Sequence, residues 1–141
     1  MKSVADRPSH RQTPAMTSRI ENTCVDCADP WALAEFWGKV LDIPIDSDCS
    51  PGDDEVGFET SPGSYLLFLK VPEPKTVKNR MHLCLEPQES REAEVERLLA
   101  LGATMYDDRR NVDGTGWAVL RDPEGNEFCV LRSADERAAT A

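Results

Sequence analysis

A chain of 141 residues, 40% of them hydrophobic, is long enough to bury a core of its own without disulfide staples. Twenty-six acidic against sixteen basic side chains leave a net charge of -10 and a pI near 4.6, which argues against a nucleic-acid or anionic-membrane partner, since both are polyanions. No run reaches the roughly 18 apolar residues of a membrane span, and the N-terminal stretch is too polar for a signal-peptide core, so the expected location is cytoplasmic.

Residues 1–18 hold two prolines and no apolar periodicity, and they read as a disordered arm. Arg19 to Cys27 alternates as a first strand, after which Asp29-Pro30 supplies a helix N-cap and a proline at the first helical position. Trp31, Leu33, Ala34, Phe36, Trp37, Val40 and Leu41 then recur at helical steps with Glu35 and Lys39 opposite, the pattern of an amphipathic helix laid on a sheet. Asp46 to Asp54, acidic and rich in turn residues, reads as a loop or irregular edge strand. Val56 to Glu59 and Ser64 to Val71 form two strands around Ser61-Pro62-Gly63, and Pro72 and Pro74, which lack a ladder donor, turn residues 72–79 into a linker.

The order then repeats. Met81 to Glu86 is a strand, Glu89 to Leu101 a helix stopped by Gly102, and Thr104 to Asp107, Gly116 to Arg121 and Glu127 to Arg132 are three further strands. The last two are joined by Asp122-Pro123-Glu124-Gly125, which offers the side-chain acceptor, the fixed φ and the positive-φ position of a reverse turn. In the final strand Glu127, Cys129 and Leu131 share one face, because strand side chains alternate. The two first strands superimpose without gaps, Asn22-Thr23-Cys24-Val25-Asp26 on His82-Leu83-Cys84-Leu85-Glu86, which marks an internal repeat. Residues 134–141 read as a disordered tail. The five cysteines, odd in number and in a chain lacking an export signal, are expected as thiols; Cys24-Val-Asp-Cys27 is a superficial metal or redox motif whose ends face opposite ways in a strand.

Two tandem βαβββ units, the opening Asp-Pro helix and the ending Asp122-Pro123-Glu124-Gly125-Asn126-Glu127-Phe128 resemble the vicinal oxygen chelate superfamily of glyoxalases, bleomycin-resistance proteins, fosfomycin-resistance transferases and extradiol dioxygenases. The run Val71-Pro72-Glu73-Pro74-Lys75 with Lys78 to Leu83 is similar to its uncharacterised glyoxalase-like subgroup. The resemblance implies an α+β fold, in which modules 19–71 and 80–132 of a domain spanning 19–133 form a cupped half-barrel of mixed sheet with helices outside. It also implies a homodimer, which exposed sheet edges favour as well. Metal enzymes of that superfamily bind a divalent ion through the first and last strands of each module. Carried over, the positions here are Asn22, His82, Cys129 with Glu127 on its face, and Leu67 or Leu69, neither of which can coordinate an ion.

The domain holds one histidine, His82, the other being His10 on the arm. His82, Cys129, Glu127 and the weak amide donor Asn22 do not match the oxygen-rich sites of magnesium or manganese, so the metal site reads as degenerate and no cofactor is assigned; a His-Cys-Glu zinc site stays open chemically. The expected site is then a pocket for a small molecule, lined by Asn22, Cys24, Asp26, Tyr65, Leu67, Leu69, Cys84, Glu86 and Cys129, with His82 and Glu127 as a general acid/base pair. Its weighed uses are metal-independent lyase or isomerase chemistry on a small carbonyl or natural product, sequestration of a cationic antibiotic as in bleomycin resistance, metabolite sensing, and a metal-dependent lyase or dioxygenase.

Overall fold

Asp29 starts the first helix by chemistry that the sequence spells out. In the computed structural model, which describes residues 17–140, helix α1 runs Pro30–Leu41; Asp29 Oδ1 accepts from the Ala32 N–H at 3.1 Å, and Pro30 occupies the first turn, where no donor is needed. It ends at Asp42, whose φ of 55° places a non-glycine residue in the left-handed region so that its N–H can bond the Gly38 carbonyl. The expected arm, with His10, lies almost wholly outside the described residues.

The chain divides into two compact units, the second beginning at Lys75. In the first, strand β1 (Asn22–Cys27) pairs in parallel with β3 (Ser64–Lys70), and β3 pairs antiparallel with β2 (Glu55–Ser61), giving the order β1-β3-β2. The unit is therefore βαββ, one strand short of the repeat read from the sequence. Residues 46–54, where the missing strand would fall, close on themselves: Cys49 N–H bonds the Asp46 carbonyl, and Ser50 N–H bonds Asp53 Oδ2 at 2.7 Å. Val56, Phe58, Leu66 and Phe68 share one face by register and are buried, as are Leu33, Phe36, Trp37 and Val40 of α1, which packs on β2 and β3. Full burial of each large side chain contributes about 1.5–3 kcal/mol, so this layer holds the unit together.

The second unit has the full pattern. Strand β4 (Cys84–Leu85) pairs in parallel with β7 (Glu127–Val130), followed outward by β6 (Gly116–Arg121) and β5 (Thr104–Arg110), both antiparallel. Helix α2 (Arg91–Leu101) is capped by Ser90 and stopped by Gly102 at φ 117°. Arg91, 2% exposed, donates to the Thr115 and Gly116 carbonyls at 3.0 and 2.7 Å, tying the helix start to the start of β6. Strand β4 is only two residues long where Met81 to Glu86 was expected, because the preceding residues meet β7 through a single backbone bond, Cys129 N–H to the Leu83 carbonyl at 2.9 Å.

The tail expected to be disordered is helical instead: α3 spans Ala134–Ala139. Ser133 and Glu136 form a reciprocal capping box, and Glu136 Oε2 also accepts from the Arg91 N–H at 2.9 Å, so the helix is anchored to the start of α2. Among the described residues no helix is long and apolar enough to cross a membrane.

Candidate functional site on the sheets

In both units the first strand lies parallel to the last. In the first unit the register sets Asn22 beside Tyr65, Cys24 beside Leu67 and Asp26 beside Leu69, so these six predicted residues share one face, opposite the side covered by α1. Tyr65 and Leu67 are buried and form its apolar floor, whereas Cys24 and Asp26 are exposed. Among the described residues, Asn22 Oδ1 is a buried acceptor without a hydrogen-bond partner. Glu55 and Glu59 of β2 fall on this face too, beside Leu69 and Tyr65. The Cys24 thiol is pushed above its ordinary value, first by desolvation and then by the negative charges of Asp26 and Glu55 on the same face.

The matching register in the second unit sets Cys84 beside Cys129, so Cys129 stands where the first unit has Leu67. His82, two residues before Cys84, completes a cluster: one ligand atom each from His82, Cys84 and Cys129 lie within 4.8 Å of one another. Cys129 is buried, while His82 and Cys84 are exposed at the sheet edge. No hydrogen bond involves His82 among the described residues. Burial, then the charge and hydrogen bond of Cys84, push Cys129 up to about 11, with Lys78 pulling weakly the other way. None of the five cysteines is in a disulfide.

Glu127 is on the same face, yet it is not a surface charge. Its side chain is 1% exposed, and Lys75 Nζ lies 3.2 Å from each of its oxygens. The Asn79 N–H donates to it at 3.0 Å and Arg121 stands at 3.5 Å. Burial acts to raise its pKa, but the Asn79 and Glu127 N–H groups and the Lys75 ammonium outweigh that and hold it down at about 2. The pairing of His82 with Glu127 read from the sequence is not among these bonds. Glu127 instead fixes the segment 75–79, which carries the chain toward His82. Glu86, expected to line the site, is exposed and ion-paired with Arg137 of α3.

Lys75, Asn79 and Arg121 went unread in the sequence, because the first two lie 52 and 48 residues from Glu127 in a segment read as linker. The Cys84–Cys129 juxtaposition was legible only through strand register: the adjacency of first and last strands, carried by the family resemblance, was the available signal.

These are the strand pairings of a known class of protein. The chain belongs to the glyoxalase-like domain family, which it matches over residues 22–131. Similar solved structures include a glyoxalase/bleomycin resistance protein/dioxygenase family enzyme from Burkholderia phytofirmans (TM-score 0.61, 21% identity, 80% of this chain and 97% of that one). They also include a mutant of the fosfomycin resistance protein FosX from Listeria monocytogenes complexed with Mn(II) and 1S,2S-dihydroxypropylphosphonic acid (TM-score 0.62, 18% identity, 89% and 98%). A third is the oxidase ChaP-H2 (TM-score 0.58, 21% identity, 83% and 94%). At these identities the likeness is one of fold, the α+β architecture expected. Among curated protein sequences there is no significant match.

A manganese-type ion does not fit the donors that converge here. Two thiols are soft ligands and an imidazole a borderline one, manganese prefers carboxylate and water oxygens, and the nearby carboxylate, Glu127, is committed to Lys75 and Asn79.

Proposed function

We propose that this chain binds a small organic molecule on the sheet faces turned away from α1 and α2, and acts on it as a metal-independent lyase or isomerase, with His82 carrying a proton. The observation that carries this reading is the common register of the two units, which sets Asn22, Cys24 and Asp26 on one face of the first sheet and Cys84 and Cys129 on the matching face of the second. His82 is exposed and makes no hydrogen bond among the described residues, so its imidazole is available to a substrate. Glu127, ionised at any working pH, serves as a fixed charge that positions the segment before His82. The acting species is a homodimer in the cytoplasm, and light scattering of the purified protein tests the assembly.

A second reading, sequestration of a cationic compound as bleomycin-resistance proteins do, is favoured by the net charge of -10 and by Asp26, Glu55 and Glu59 on one face of the first sheet. Thermal shifts with cationic aromatics and with short 2-oxo compounds separate the two, because a bound ligand raises the melting temperature by mass action. A 2-oxo ligand that is turned over by the wild type and bound unchanged by His82→Ala supports the lyase. A cationic ligand bound equally by both proteins supports sequestration, and no shift with either class defeats both.

A further inference from the structure

We infer that His82, Cys84 and Cys129 form a Cys2His site for one thiophilic divalent ion of the zinc type, built entirely within the second unit. The three donors converge because β4 and β7 run in parallel: Cys84 is the direct neighbour of Cys129, and His82 reaches the same face by two-residue alternation. An ion held at zinc-sulfur and zinc-nitrogen distances keeps its ligand atoms roughly 3.5–3.8 Å apart. The donors already lie within 4.8 Å of one another, and two of the three side chains are exposed and can rotate to close the difference.

The usual explanation of a strand cysteine, packing as a small hydrophobe, suits Cys129 but not Cys84, which is exposed. Two thiolates neutralise a divalent ion, so the complex leaves no net charge beside the buried Cys129. Three protein ligands leave a fourth tetrahedral position for water or for an organic oxygen or nitrogen donor. The first unit cannot build the same site, since Asn22 and Leu67 replace His82 and Cys129. An ion on His82 occupies the imidazole that the proton transfer proposed above uses, so the metal-loaded form is not the acting species of that reading, and the two are tested by different measurements.

The full chain, reduced and stripped with a chelator, is titrated with Co2+ and followed by absorbance. The inference expects one equivalent bound, a thiolate-to-cobalt charge-transfer band, and the intense visible bands of tetrahedral cobalt, all abolished by one equivalent of Zn2+. Mn2+ should neither bind nor displace. Cys84→Ser, at an exposed position and checked for folding by circular dichroism, should weaken Zn2+ binding by at least about tenfold, since a coordinating thiolate is replaced by a poor ligand. His82→Ala should alter the cobalt spectrum, and Cys24→Ser should leave it unchanged. Octahedral cobalt bands, no retained ion, or Zn2+ affinity unaffected by Cys84→Ser would overturn the inference. Organic-ligand thermal shifts in the chelated protein bear on the proposed function alone, so each can fail without the other.

Discussion

Replacing Glu127 by glutamine keeps the side-chain volume and removes the charge that Lys75 and the Asn79 N–H surround. The drop in its pKa from 4.5 to about 2, converted at about 1.4 kcal/mol per tenfold change in proton affinity, caps the carboxylate's contribution at about 3 kcal/mol. The Lys75 side chain is 21% exposed, so solvent screening lowers the expected loss in Glu127→Gln to about 2 kcal/mol at pH 7. A group whose folded pKa is depressed contributes fully above its unfolded value and loses that contribution as pH falls through the folded one. The gap between wild type and Glu127→Gln should therefore be constant above about pH 5 and shrink by about half at pH 3. Urea denaturation measures it: with a slope of about 1–2 kcal/mol per molar, the midpoint should fall by about 1–2 M at pH 7. Glu73→Gln, an exposed carboxylate in the same segment, should change stability by less than about 0.5 kcal/mol. A gap that is absent at pH 7, or that persists undiminished at pH 3, would refute the buried-anchor role of Glu127.

Glu136→Ala should free α3 by removing the acceptor of the Ser133 and Arg91 N–H groups, costing about 1–2 kcal/mol locally; hydrogen exchange of residues 134–139 reads it as lost protection. Gly57→Ala should destabilise the first unit by about 1–3 kcal/mol, because the added Cβ would meet the Leu66 carbonyl oxygen and a Leu67 methyl, each at 2.5 Å; thermal melting checks it. Cys24 should alkylate more slowly than an unperturbed thiol near pH 8, and Asp26→Asn should accelerate it and shift its pH profile downward, since that carboxylate helps hold the thiol protonated. Equal rates in the two proteins would show that the Asp26 charge does not act on this thiol.

What could be read without coordinates was local chemistry. Asp29-Pro30 gave the start of α1 to the residue, Gly102 the end of α2, and the Asp122–Gly125 turn its shape: the Gly125 N–H bonds the Asp122 carbonyl at 2.9 Å with φ at 87°. Ser133-Ala-Asp-Glu136 is itself a capping-box pattern, so α3 was legible in the sequence as well. The rest depended on distance in the chain. Glu127 reads as a turn-proximal charge until Lys75 and Asn79 arrive from across the unit, and Cys84 reads as one more small strand residue until parallel pairing seats it against Cys129. Alternation predicted which side chains share a face, but not that the carboxylate on that face was already engaged.

Backbone amide shifts of the isotopically labelled protein, recorded during titration with the organic compound giving the largest thermal shift, test most directly whether the sheet faces are the binding surface. The account predicts saturable perturbations concentrated at His82 to Cys84 and Glu127 to Cys129, with a second set at Asn22 to Asp26 and Tyr65 to Leu69. Perturbations confined to the exposed sides of α1 and α2, or spread evenly without saturation, would contradict it.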